Sequence, residues 1–575
     1  MIGNYKQVRL YRFIALFLLV ALLTTGTGLA FADGSTAQGT RKASPNLKSS
    51  NKPTHINNGT LKTLLGMDSD SDTTDSNLSL SALCQSLIGQ TNLYKKPSPN
   101  VDMINGDTIV QAGTQLGCNS AQNETTIAVN PENPKNLVAG TNDYRIFNTR
   151  EGRNDGSGWA YTTFDGGATW KDVQLPHLTF QTGATGALSD MDSAGDPAIA
   201  FGPDNTVYYA NIVFSRLNAG GGITISVSHN GGLTWGEPEI VQLDGVDSAG
   251  NPLPTDFFND KEWVGVDPET GTAYVSWTRF GLVDSPIVVS KRDQRTGQWS
   301  PFVQVNPTFT PGGITSYSQG SYPQVGKHGE LYIAYESAVC QSLNCDQPTD
   351  HDAIIVAKST NGGRTFTNTE AAVDYDFPYN PDTGRSTLTG ENFRINSFPS
   401  FAIDPQTGRL YITWADDRNG QYDSFGNSIK TNGDVFVATS GNGNNWNLYQ
   451  LGTSADEVYP AIAAYDSKIA VTFYTRSYDR NGTGLDYAYV KANGLGNLKQ
   501  NDVTRITTQT SDPGIQFVGV GAVSGKILQG IFIGDYTAVA MGSDLVIHPC
   551  WTDFRGMPGL TSPNQDAYTQ AIPLK

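Results

Sequence analysis

Charge is scarce in this chain. Asp, Glu, Lys and Arg make up 16% of its 575 residues, against about a quarter in an ordinary globular protein. So little charge excludes long solvated helices, coiled coils and a charge-driven disordered chain. Basic residues are the scarcer kind, 38 against 55 acidic, which leaves a net charge of −17. Such a surface repels phosphate backbones and excludes nucleic acid as a partner. Cysteine is also rare, at five, with no Cys-x-x-Cys pair, and the six histidines form no ligand-spaced cluster. A zinc centre is therefore not expected. Beyond the N-terminus no apolar run approaches the roughly 20 residues that a membrane-spanning helix needs. What the chain does have is 62 glycines, 29 prolines and 10% aromatics. That is the composition of an all-β protein with many tight turns and ample core material. Its length is too great for one ordinary compact domain unless the fold is modular or a closed ring.

The N-terminus carries an export signal. Lys6, Arg9 and Arg12 precede the apolar run Phe13–Leu23, and Ala30-Phe31-Ala32 fits a small-residue cleavage site. Residues 1–32 are expected to be removed, leaving a secreted or cell-surface chain of net charge −20. An uncleaved anchor extended through Thr24–Phe31 is the alternative. Export permits disulfides. Cys340 and Cys345 bracket a short polar loop and are expected to pair. Cys84 and Cys118 are the other plausible pair, and Cys550 reads as a buried small hydrophobe. No cofactor is expected, with a structural or site Ca²⁺ left open, and the chain is expected to be a monomer.

Residues 33–100 are rich in Ser, Thr, Asn and Asp and read as a flexible spacer, with one short helix possible around Leu78–Ile88. From about residue 101 to 575 the chain is repetitive. One unit pairs a strand of small residues, often ending in Asp-Pro or Asn-Pro, with a more hydrophobic strand ending in an aromatic. Ser397–Pro405 with Leu410–Trp414, and Trp263–Pro268 with Ala273–Trp277, are clear copies. Aligning the first strands puts Glu124, Asp196, Lys261, Tyr322, Phe398, Tyr459 and Asp535 in one column, at steps of 61 to 76 residues. This predicts a β-propeller of four-stranded antiparallel blades, seven by this count and six as the alternative. In blade 7 the chain ends one strand short, and the run Asp107–Ala112 is the expected closing strand.

A sharper motif joins the third and fourth strands. Thr163-Phe-Asp-Gly-Gly-Ala-Thr-Trp170, Ser228-His-Asn-Gly-Gly-Leu-Thr-Trp235 and Ser359-Thr-Asn-Gly-Gly-Arg-Thr-Phe366 share one pattern, with degenerate copies at Ser290–Trp299 and Ser440–Trp446. Asp165, Asn230 and Asn361 can accept backbone N–H bonds across the turn, the glycines permit positive φ, and Trp170, Trp235 and Phe366 can pack beneath. These motifs resemble Asp-boxes (BNR repeats). From about Asn123 to Lys575 the chain is similar to the sialidase-like β-propeller superfamily of secreted bacterial proteins.

The resemblance implies a structural role for the Asp-boxes. It also implies a protein that acts on or binds extracellular glycans, either a glycoside hydrolase with a non-standard site or a non-catalytic glycan- or protein-binding propeller. The family's arginine triad is not recognisable. The position before each column residue holds no arginine. Tyr144-Arg-Ile-Phe147 and Phe393-Arg-Ile-Asn396 resemble its Arg-Ile-Pro signature at shifted positions, without the proline.

Topology places the column, and the loops after each second strand, on the face opposite the Asp-boxes. Glu124, Asp196 and Asp535 form an acidic arc with Lys261 beside it, facing an aromatic arc of Tyr322, Phe398 and Tyr459. Such a funnel could hold a sugar or a cation. If it is catalytic, Asp196 or Glu124 would be the acid/base and Tyr459 a nucleophile, with Asp535 the further carboxylate. Lys261, Arg418, Arg476 and Arg555 are candidate ligand contacts.

Overall fold

The computed structural model describes residues 99–105, 121–150, 153–380, 384–424, 426–479, 482–494, 498, 502–513, 518–520, 527–529, 532–555 and 565–574. The expected signal, the helix around Leu78–Ile88, and Cys84 and Cys118 lie outside these residues. No described helix is long and apolar enough to cross a membrane.

Seven antiparallel four-stranded sheets follow one another along the chain as blades of a β-propeller. Blade 1 runs Gln122–Val129, Leu137–Asn148, Arg153–Thr163 and Lys171–Gln174 from the inside outwards. Blades 2 to 6 repeat this order, with inner strands Ser193–Phe201, Phe258–Val266, Gly313–Val325, Ser400–Ile403 and Glu457–Tyr465. Blade 7 takes Ala538–Met541, Val546–Asp553 and Asp566–Thr569 from the C-terminus. Its outer strand is Val101–Asp102, which pairs with Tyr568 and Thr569. The ring thus closes with mixed termini. The closing residues lie earlier than the expected Asp107–Ala112, which is outside the described residues. Met103 and Ile104 follow that strand and are wholly buried, and the Asn100 side chain bonds Ile506 and Thr508 in blade 6.

Each blade lies between two others, so the middle strands are buried on both faces and read as nearly continuous apolar runs. Leu331–Cys340 is buried throughout, whereas the outer strand Glu239–Asp244 is half-buried. The core is therefore a set of interblade layers. One packs Ala198, Tyr208 and Ile212 of blade 2 against Trp263, Val275 and Trp277 of blade 3.

The turns carrying the Ser/Thr-x-Asp/Asn-x-Gly-x-Thr pattern are clasped by their own side chains. Asp165 Oδ1 accepts from the backbone N–H of Ala168 (2.9 Å) and Thr169 (3.0 Å), and Thr163 Oγ1 donates to it at 2.7 Å. Asn230 and Asn361 make the same backbone bonds in blades 2 and 4. Trp170 is buried beneath its turn, while Trp235 and Phe366 are half-buried against the neighbouring core. Gly232 has φ +94°, and a Cβ there would stand 2.5 Å from Val138 in blade 1, so only glycine fits where this turn docks. Cys340 and Cys345 are joined by a disulfide, and Cys550 is a free, fully buried thiol.

The inner strands carry a feature that periodicity conceals. The pairing slips by one residue in blades 1, 2, 3, 4 and 6, between Asn123/Thr126, Gly195/Ala198, Asp260/Trp263, Gln319/Tyr322 and Val458/Ala461. These are β-bulges, and the first bulged residue is left-handed each time: Glu124 (φ 55°), Asp196 (51°), Lys261 (54°), Gly320 (68°) and Tyr459 (50°). Non-glycine residues adopt this conformation at a cost of about 1–3 kcal/mol, which the surrounding pairing must hold in place.

Candidate functional site

The bulges define the true column. In blade 4 its place is held by Gly320, because Tyr322 pairs with Ala334 just as Trp263 pairs with Ser276. In blade 7 it is held by Tyr536, because Ala538 pairs with Cys550, the residue before Trp551, as Ser400 pairs with Thr413, the residue before Trp414. The sequence alignment was therefore two residues out at Tyr322 and one residue out at Asp535. Both side chains nevertheless reach the centre.

Lys261 is the pivot of that centre. Its Nζ lies 2.8 Å from Glu124 Oε1, 3.0 Å from Asp535 Oδ2 and 3.3 Å from Asp196 Oδ2, and 4.6 Å from the centre of the Tyr536 ring. One ammonium from blade 3 thus joins carboxylates from blades 1, 2 and 7. All four side chains are at least nine-tenths buried. The Asn142 side chain braces two of them, donating to Glu124 Oε2 and accepting from the Asp196 N–H. Arg394 clamps Asp535 from the other side, Nε to Oδ1 at 2.8 Å and Nη2 to Oδ2 at 2.6 Å.

The electrostatics follow from this crowding. Burial, then the neighbouring Asp196, push the Glu124 carboxyl well above its ordinary range, against the pull of Lys261. Burial alone would lower Lys261, but Asp196, Asp535 and Glu124 together raise it well above its usual value. Burial opposes ionisation of Asp535 too, yet Arg394 and Lys261 prevail and hold it well below the usual carboxylate range. Glu262, next in the bulge, is 1% exposed, and neither carboxyl oxygen has a hydrogen-bond partner. Burial and Asp196 raise its pKa strongly.

Beside Lys261 and Asp535 lies a cavity of about 40 Å³, lined also by Trp263, Tyr322, Phe398, Tyr459 and Tyr536. It has room for roughly three waters. Trp263 and Tyr322 pack against each other in its wall, with ring centres 4.4 Å apart and planes tilted by 30°. Burial pushes the Tyr322 phenol up to about 12. The Tyr459 hydroxyl donates to the Arg394 carbonyl, and burial and Asp535 raise its pKa well above normal. A phenolate nucleophile requires the opposite shift. Glu124 and Asp196 do not line the cavity.

The candidate arginines do not converge on this centre. Arg418 is bonded to Asp416, two residues earlier in the chain (Nε–Oδ1 2.9 Å), and stacks over Phe436. Arg555 repeats this with Asp553 and Tyr568, and Arg145 with Asp143 and Trp159. The repeated Asp-x-Arg spacing was a legible signal for these clasps. Arg476 pairs with Asp456 and Glu391. The useful arginine is Arg394. It arrives from the long connection between blades 4 and 5, together with Asn396, whose side chain donates to the Asp535 carbonyl. Of the two Arg-Ile runs, only this one reaches the channel. Among the described residues, no three carboxylate, histidine or cysteine side chains group so as to hold a metal ion.

No family model and no curated protein matches the chain. Among solved structures it is similar to a Trypanosoma rangeli sialidase, with 10% identity over 70% of this chain and 56% of that one and a TM-score of 0.36. It is also similar to an ulvan lyase, with 10% identity over 79% and 95% and a TM-score of 0.39. An α-L-arabinofuranosidase from Fusarium graminearum gives 12% identity over 66% and 93% and a TM-score of 0.36. Likeness at this level transfers neither an activity nor a ligand. The seven-bladed architecture itself is consistent with the sialidase-like propeller superfamily that the turn motifs resemble.

Proposed function

We infer that the chain is an exported, non-catalytic propeller that binds extracellular glycan at the channel mouth. The observation that carries this reading is the commitment of the three carboxylates that meet at Lys261. Glu124, Asp196 and Asp535 all bond to Lys261, and Asp535 to Arg394 as well. A glycosidase needs one carboxyl free to donate a proton and another free to attack or to activate water. Neither role is open to groups held in an interblade ion cluster. Tyr322, Phe398 and Tyr536 remain half-buried around the cavity and offer the apolar faces on which sugar rings stack. The cavity is too small for a whole ring, so the ligand rests on the mouth and inserts one substituent.

The experiment is a glycan array probed with the exported chain and with Phe398→Ala. The wild-type chain binds a subset of glycans, and the variant loses about tenfold or more in affinity, as an aromatic contact at a site centre should. Unchanged binding by the variant contradicts the reading.

A further inference from the structure

The charge balance at the mouth identifies the class of sugar. Two cations stand there, Lys261 and Arg394. Five carboxyl groups surround them: Glu124, Asp196 and Asp535 in direct contact, with Asp260 and Glu262 acting on Lys261 or on its partners through space. If Glu124 and Glu262 both hold protons, three carboxylates still face two cations. Asp260 is further engaged by Gln319. No positive charge is left over for a ligand.

The arrangement of Asp535 is more telling than the count. Its carboxylate receives a forked guanidinium on both oxygens and an ammonium on one, at 2.8, 2.6 and 3.0 Å. That is the geometry by which a protein binds the carboxylate of an acidic sugar. Here the protein's own side chain fills it. An incoming acid would meet the clamp already occupied and a like charge beside it, and both oppose its binding. Resting on the binding reading above, we propose that the mouth takes uncharged sugars, and that Asp535 sets this preference by occupying the clamp of Lys261 and Arg394 that an acidic sugar would require.

The test compares the full exported chain with Asp535→Asn, Arg394→Gln and Phe398→Ala. The probes are an array of neutral oligosaccharides beside their sialylated, uronic-acid and sulfated counterparts. The wild-type chain binds neutral probes at least about tenfold more tightly than acidic ones. Asp535→Asn releases Arg394 from its carboxylate and takes one of the three carboxylates off Lys261, and so narrows that ratio by about tenfold. Arg394→Gln removes the guanidinium half of the clamp and should leave the neutral preference in place, and a folded Arg394→Gln variant that prefers acidic probes overturns the proposal. A wild-type preference for acidic probes that Phe398→Ala abolishes overturns the proposal while sparing the binding reading. So does a folded Asp535→Asn variant with an unchanged ratio. If Phe398→Ala changes no binding at all, the mouth is not the site, and both fall.

Discussion

Lys261 shows how much can depend on one side chain. Its ammonium touches carboxylates from blades 1, 2 and 7 at once, so it stabilises the ring as well as setting the charge of the mouth. Removing one partner of a buried ion cluster leaves the others uncompensated, at about 3–5 kcal/mol. Lys261→Met should therefore lower unfolding stability by that amount in a denaturant titration. Adding Glu124→Gln should restore part of the loss, and strictly additive effects would mean the groups are not coupled. Asp165 has a smaller duty. Asp165→Ala removes the turn bonds of blade 1 and should cost about 1–2 kcal/mol with binding unaffected, as thermal melts and the glycan array would register.

His548 is a third residue with a definite consequence. Burial holds its pKa down at about 4, so it is neutral in the folded chain, whereas in the unfolded chain it titrates near the ordinary 6.5. The unfolded state then binds the extra proton between these values, and stability falls as pH drops from 6.5 towards 4. Its contribution to that loss is about 2 kcal/mol between pH 7 and pH 5. In His548→Gln the acid-side decline should shrink accordingly. An identical pH profile would show that the imidazole is not the cause.

At the scale of elements, the strands and the clasped turns were legible because both have local signals. Thr163–Trp170 and its relatives announce their hydrogen bonds in the residue types themselves. The bulges were not legible. A bulge adds one residue while alternation continues on each side of it, so Tyr322 was read into the column where Gly320 belongs; in blade 7 the regular pairing starts only at Ala538, and Asp535 was read where Tyr536 belongs. Arg394 was visible as a shifted Arg-Ile run, but its arrival in the channel depends on how a long interblade connection folds back. No periodicity encodes that. The closing strand escaped for a different reason: Val101–Asp102 is two residues long and has no pattern to detect. Deleting residues 100–104 removes that strand together with buried Met103 and Ile104, and should cost about 3–5 kcal/mol. Deleting residues 33–75 should cost nothing measurable. Equal melting temperatures for the two truncations would contradict this closure.

For the whole molecule, the ring separates two tasks. The clasped turns lock neighbouring blades together on one face. The opposite face gathers the starts of the inner strands, five of them bulged, beside a small aromatic cavity. There the ion cluster of Lys261 with Glu124, Asp196 and Asp535 ties blades 1, 2, 3 and 7 together. The most direct test is turnover: the purified chain incubated with a broad panel of fluorogenic glycosides, neutral and acidic, from pH 4 to 9. The account predicts no release above the buffer rate for any substrate. Release that saturates with substrate and is abolished by Asp535→Asn in a folded variant would contradict it.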